Sequence, residues 1–217
     1  MIDIRNMLQV YYIAGSVNVL GTDLESSVRA AIKGGITCFQ FREKGDRALT
    51  GVQKNTLAER VQQICKEHNV PFFVNDDVAL AVRLQADGIH VGQEDMSARQ
   101  VRSRMPSGSI LGVSAHSLDE ARRAIKDGAD YLGIGPVYPT GSKADAKEAI
   151  GPEGIRYYRE AGITAPIVAI GGITEENTPE VIEAGADGVS MISAIAASGD
   201  PEGTAARFKE AVQKHQK

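Results

Sequence analysis

Cysteine is scarce: Cys38 and Cys65 are the only thiols among 217 residues. Two thiols this far apart make neither a zinc site nor a disulfide framework. Both are therefore read as small buried hydrophobes, with a catalytic Cys38 as the alternative. No apolar run approaches the roughly 20 residues of a membrane span. The amino terminus, MIDIRNMLQVYYIAG, has neither the basic start nor the apolar stretch of a signal peptide, so a cytoplasmic protein with no membrane partner is expected. Positive charge is not in excess either: 24 Lys and Arg face 28 Asp and Glu, for a net charge of -4. Without a broad cationic field nucleic acid is not an expected partner, and any attraction for phosphate has to be local. A small anionic ligand fits better than a polymer.

What the chain does have is repetition. Hydrophobic residues make up 42% and charged residues 24%, ordinary for a globular protein, and the length suits one domain over residues 1–217. Short apolar runs recur throughout: QVYYIAG (9–15), ITCFQF (36–41), VPFFVN (70–75), DGIHVG (87–92), ILGVSA (110–115), DYLGIGP (130–136), PIVAIGG (166–172) and DGVSMIS (187–193). Most are apolar on both faces, as in a parallel sheet covered on both sides. Between them lie stretches of helical period such as DLESSVRAAIKGG, LTGVQKNTLAERVQQICKEH, SLDEARRAIKDG and TEENTPEVIEAG. The joints AIKGGITCF, LQADGIHV, IKDGADYLGI and IEAGADGVSM repeat as well. Each leads from a helix end through glycine or aspartate into a strand, as a left-handed C-cap allows. This pattern predicts a single-domain α/β fold, the (β/α)8 TIM barrel. An open doubly wound sheet is the alternative, but it would need a glycine-rich fingerprint after an early strand. The GGIT at 34 precedes its strand instead.

In such a barrel chemistry sits at the C-terminal mouth, so the residues after each strand carry the functional information. ITCFQFREK turns cationic as its strand ends; alternation puts Cys38, Gln40, Arg42 and Lys44 on one side, Phe39 and Phe41 on the other. The next strand ends in Asn75, Asp76 and Asp77, the fourth leads to Gln93 and Asp95, and the fifth to Ser114 and His116. After the sixth come Thr140, Ser142 and Lys143, and the last two end in Gly171-Gly172 and Ile192-Ser193. The glycine pair and Ile192-Ser193 lie where many barrels bind a phosphomonoester through backbone amides. Arg42, Lys44 and Lys143 beside Asp76 and Asp95 suit a diphosphate carrying magnesium, which takes one or two carboxylates plus ligand phosphates. Asp77 is read as the cap of the helix VALAVRL and His90 as a buried, hydrogen-bonded core residue. His116 is left open between general base, ligand contact and helix neighbour.

The motifs QFREK, VNDD, GIHVGQED, GVSAH, GIGPVYPTGSK, AIGGI and GADGVSMISAI, in this order, resemble those of the thiamine phosphate synthase family from about Tyr11 to Ile195. That resemblance implies a transferase joining 4-amino-2-methyl-5-(diphosphooxymethyl)pyrimidine to 4-methyl-5-(2-phosphooxyethyl)thiazole, with release of pyrophosphate. It implies that Gln40, Phe41, Arg42, Glu43, Lys44, Asn75, Ser114 and Lys143 contact the pyrimidine diphosphate. Of these, Arg42, Lys44, Ser114 and Lys143 would be catalytic. Asp76 and Asp95 would hold Mg2+, and Thr140, Gly141, Ser142, Gly172, Ile192 and Ser193 would hold the thiazole phosphate. Ser142 departs from the more frequent threonine but keeps the hydroxyl. The loop after the sixth strand is expected to close over bound substrates. The nearest rival is a thiazole tautomerase of the same fold, which would use His116 and would not need the paired aspartates; a noncatalytic phosphate-ligand sensor is a rival of another class. Oligomeric state is not readable.

Overall fold

Short strands that are apolar on both faces need both faces covered, and a sheet closed on itself with helices outside covers both. The computed structural model of the chain, which describes residues 3–141 and 147–216, has that form. In chain order the elements are α1 (Ile4–Met7), β1 (Val10–Ala14), α2 (Leu24–Gly34), β2 (Cys38–Phe41), α3 (Gly51–Glu67), β3 (Phe72–Asn75), α4 (Val78–Leu84), β4 (Gly88–Val91), α5 (Ala98–Arg102), β5 (Ile110–Ala115), α6 (Leu118–Lys126), β6 (Tyr131–Ile134), α7 (Gly151–Glu160), β7 (Ile167–Ile170), α8 (Thr178–Glu183), β8 (Gly188–Met191), α9 (Ser193–Ala196) and α10 (Pro201–His215). The strands pair in parallel from β1 to β8, and β8 closes onto β1. The expected (β/α)8 barrel is the fold.

All strands but β5 are shorter than the apolar runs that predicted them, because the end residues of those runs, several of them glycine or proline, lie in turns rather than in the ladder. In α8 the helical pattern from 174 begins only at Thr178, where Pro179 occupies the first turn. Several other helices are capped by side chains. Asp23 accepts from the Ser26 amide ahead of α2, which ends on Gly35 at φ 94, and Ser117 accepts from the Glu120 amide ahead of α6.

One device recurs on every even strand. The residue just ahead of β2, β4, β6 and β8 accepts the amide of the first or, in β5, the second residue of the preceding strand. Thr37 accepts from Val10 at 2.8 Å, Asp87 from Phe72 at 2.8 Å, Asp130 from Leu111 at 2.8 Å and Asp187 from Ile167 at 2.7 Å. In return each amide donates to the carbonyl of that same partner. The repeated joints therefore stitch neighbouring strands at the bottom of the barrel, beyond reversing the chain after a helix. Arg159 and Arg5 add to the Asp187 stitch, with Arg159 Nη2 at 2.7 Å.

Inside the barrel Tyr11, Phe73 and Tyr131 meet edge to face, with ring centroids 5.9, 6.1 and 6.1 Å apart. Met7 and Leu8 from α1 and its end lie under this layer. The outward residues, including Phe39, Phe41, Phe72 and Leu132, fill the space beneath the helices. Cys38 and Cys65 are both buried and free, and burial pushes the Cys65 thiol up to about 12. No helix among the described residues is long and apolar enough to cross a membrane.

Candidate active site

The strand ends converge on one pocket at the C-terminal mouth. Its wall carries Arg42, Lys44, Asn75, Asp76, Asp95 and Ser114 on one side and Thr140, Gly172, Ile192 and Ser193 on the other. Asp76 is aimed by an unusual backbone: its φ of 60 is left-handed, a conformation aspartate tolerates better than most residues. Its amide donates to the His90 carbonyl at 2.9 Å, tying the end of β3 to β4. Asp95 is held by the Gly92 amide at 2.8 Å, which folds the loop after β4 back over the same spot. The two carboxyl groups lie within hydrogen-bonding reach of each other, and Lys44 Nζ stands 3.0 Å from Asp76 Oδ2.

Burial first, and then the neighbouring Asp95, push Asp76 above the ordinary carboxylate value, with Lys44 pulling it partly back. Lys44 is itself raised, chiefly by its bond to Asp76. A divalent cation between the two carboxylates would relieve their repulsion, so the pair fits one. Among the described residues no group of three or more His, Cys, Asp or Glu comes together to hold a metal. The remaining ligands would have to be oxygens of water and substrate, as magnesium commonly takes them.

Four expected contacts are not on this wall. Phe41 points outward, 1% exposed and stacked near Phe72, because alternation places it beneath the helices. Glu43 braces the loops, accepting from the Ser16 amide and hydroxyl and from the Leu49 amide. Gln40 is buried below the pocket at 2% exposure, donating its amide to the Tyr11 hydroxyl at 2.8 Å. Gly141 follows Thr140 but does not line the cavity. Ser142 and Lys143, and with them the expected lid, lie outside the described residues. Asp77 does cap α4, accepting from the Leu80 amide at 2.9 Å and pairing with Lys54 at 2.7 Å.

His90 differs from expectation. It is hydrogen-bonded, but it is only half-buried and lines the pocket. Residues without a settled role in the sequence also reach it. Gln93 donates to the Ser114 carbonyl at 2.6 Å, Lys147 lines the far side, and His116 donates from Nδ1 to the Gly135 carbonyl at 3.1 Å. Gln93 was visible as a mouth residue. Lys147 had no motif to mark it.

The opposite side is shaped by close backbone approach. Gly171 and Gly172 have φ of 97 and 62, and a Cβ on Gly172 would come within 2.6 Å of the Pro139 carbonyl oxygen. The glycine pair thus lets the β6 and β7 loops touch, while Ile192 and Ser193 begin α9 beside it. Residues 10–195 match the family model for thiamine monophosphate synthase. The chain belongs to the thiamine monophosphate synthase family. It is 55% identical over 211 residues to a thiamine-phosphate synthase of Geobacillus thermodenitrificans, covering 97% of this chain and 95% of that one. A Bacillus cereus thiamine-phosphate synthase is 56% identical over 189 residues, covering 87% and 85%. Among solved structures, a Pyrococcus furiosus thiamine phosphate pyrophosphorylase superposes with a TM-score of 0.86 at 34% identity, covering 98% of each chain.

Proposed function

We propose that this protein is a thiamine-phosphate synthase of the cytoplasm. It joins the pyrimidine diphosphate to the thiazole phosphate with loss of pyrophosphate. The observation that carries this reading is the joining, in one pocket, of the Asp76–Asp95 pair and its cations to a second wall of glycine turn and α9 start. One side suits a metal-bound diphosphate and the other a phosphomonoester. A thiazole tautomerase would leave the first side without a task, and the named relatives are synthases, so that alternative has no support.

The bond from the methylene carbon to the diphosphate oxygen breaks, with its electron pair leaving on pyrophosphate. The lone pair of the thiazole nitrogen then forms the new C–N bond, and the thiazole becomes thiazolium. No proton has to move, so no nucleophile and base are required. Asp76 and Asp95 would hold magnesium, which would supply charge neutralisation to the departing diphosphate. Arg42 and Lys44 bind the same oxygens, and because negative charge grows there as the bond breaks, they hold the transition state more tightly than the substrate. Lys143 joins them by resemblance alone. Asn75 and Ser114 orient the pyrimidine diphosphate, whereas Thr140, Gly172, Ile192 and Ser193 hold the thiazole phosphate, joined by resemblance by Ser142.

The test is direct: incubate the purified chain with both substrates and magnesium, and assay pyrophosphate and thiamine phosphate. Stoichiometric formation of both is expected. Thiazole isomerisation without pyrophosphate release would replace this reading with the tautomerase.

A further inference from the structure

A chain of polar side chains crosses the barrel interior beneath the pocket. Gln40 Nε2 donates to the Tyr11 hydroxyl at 2.8 Å, Tyr11 meets the Tyr131 hydroxyl at 3.0 Å, Tyr131 meets His90 Nδ1 at 3.0 Å, and His90 Nε2 meets Ser114 Oγ at 2.9 Å. We propose that Gln40, Tyr11, Tyr131 and His90 form a one-way hydrogen-bond relay that holds the Ser114 hydroxyl as a donor toward the substrate. In this relay they are positioning residues, acting through Ser114.

The direction follows from the Gln40 end. An amide nitrogen only donates, so the Tyr11 oxygen is an acceptor there and its proton passes to Tyr131. Tyr131 passes its own proton to His90 Nδ1, which leaves the ring hydrogen on Nε2. That hydrogen is donated to Ser114 Oγ, and the serine proton is left to the pocket. In the reverse order Tyr11 would accept twice, and its proton would be left to the Cys38 sulfur, a weak acceptor. Burial holds both phenols well above their ordinary values, so each retains the proton it has to pass on.

The fold makes room for this chain. A Cβ on Gly112 would overlap the Tyr131 hydroxyl and His90 Nδ1, and one on Gly133 would lie 2.9 Å from His90 Cε1. Neither glycine has a positive φ, so glycine stands there for space. The consequence is selectivity. A fixed donor at Ser114 favours a ligand that offers an acceptor, a ring nitrogen or a diphosphate oxygen, and penalises one that offers a second donor. That ligand assignment rests on the function proposed above.

The proton on His90 can be read without substrate. In protein labelled with 15N-histidine, long-range 1H–15N correlation at neutral pH should show His90 neutral with its proton on Nε2, the signals being identified by their loss in His90→Gln. A proton on Nδ1, or on both nitrogens, would overturn the relay. Tyr131→Phe removes the donor to Nδ1 with little change in volume. It should lower kcat with the pyrimidine diphosphate about tenfold, at the low end for outer-shell partners, and shift His90 away from the Nε2–H form. Unchanged kcat and unchanged His90 signals would overturn the proposal too. The double variant His90→Leu with Ser114→Ala should lose no more activity than Ser114→Ala, and additive losses would count against it. A parent chain that made no thiamine phosphate would sink the proposed function instead, leaving the tautomer result to decide the relay.

Discussion

Asp76 shows how a single position trades stability against function. Its carboxyl is raised above the ordinary value by burial and by Asp95, so the folded chain binds that proton more tightly than the unfolded chain does. The contribution to stability is therefore complete below the ordinary carboxylate pKa of about 3.9 and is lost as pH rises through the folded value. Asp76→Asn should melt at a temperature equal to or above the parent's at neutral pH, and this advantage should shrink as pH falls. Thermal unfolding over a pH series checks it; an advantage that grew toward acid would refute the sign. The same substitution should lower turnover at least about 10²-fold, the scale for losing one charge-stabilising group, as pyrophosphate release would show.

At the scale of one element, α4 depends on its first residue. Asp77 accepts from the Leu80 amide and pairs with Lys54. Burial alone would raise its carboxyl, but Lys54 and the Leu80 amide outweigh burial and hold it low. Its stabilisation is present above the unfolded pKa and is lost as pH falls through the folded value. Asp77→Ala should destabilise by about 1 kcal/mol, the usual cost of an N-cap, with the deficit vanishing in acid. Urea unfolding at neutral and acid pH measures both. Position matters more than composition here: Asp76 and Asp77 are neighbours in sequence, yet one faces the mouth and the other starts a helix.

For the whole molecule the barrel divides labour between its ends. The four stitches at Thr37, Asp87, Asp130 and Asp187 close the bottom, far from the mouth. Asp187 is the most heavily used, serving the Ile167 amide, Arg159 and Arg5 together. Asp187→Ala leaves a strand amide and a part-buried guanidinium without this partner, so it should cost about 2 kcal/mol while kcat stays within about twofold. Chemical denaturation paired with steady-state kinetics separates the two, and a large fall in kcat in folded protein would show the ends to be coupled.

The eight strands, the family motifs and the cap at Asp77 were legible in the sequence because each depends on local spacing: a period of two, a period of three to four, or one residue at a helix start. Alternation alone separates Cys38 and Gln40 from Phe39 and Phe41, and by itself it argues against Phe41 as a ligand. Contacts across the barrel could not be read this way. The Asp76–Asp95 pair, the stitches at the bottom and the line from Gln40 through Tyr11, Tyr131 and His90 to Ser114 each join residues of different strands, beyond the reach of local spacing. Their partners are chosen by the closure and stagger of the sheet, which bring residues from opposite sides into one interior layer. Sequence determined which residues face inward; only the closed barrel decided which of them touch.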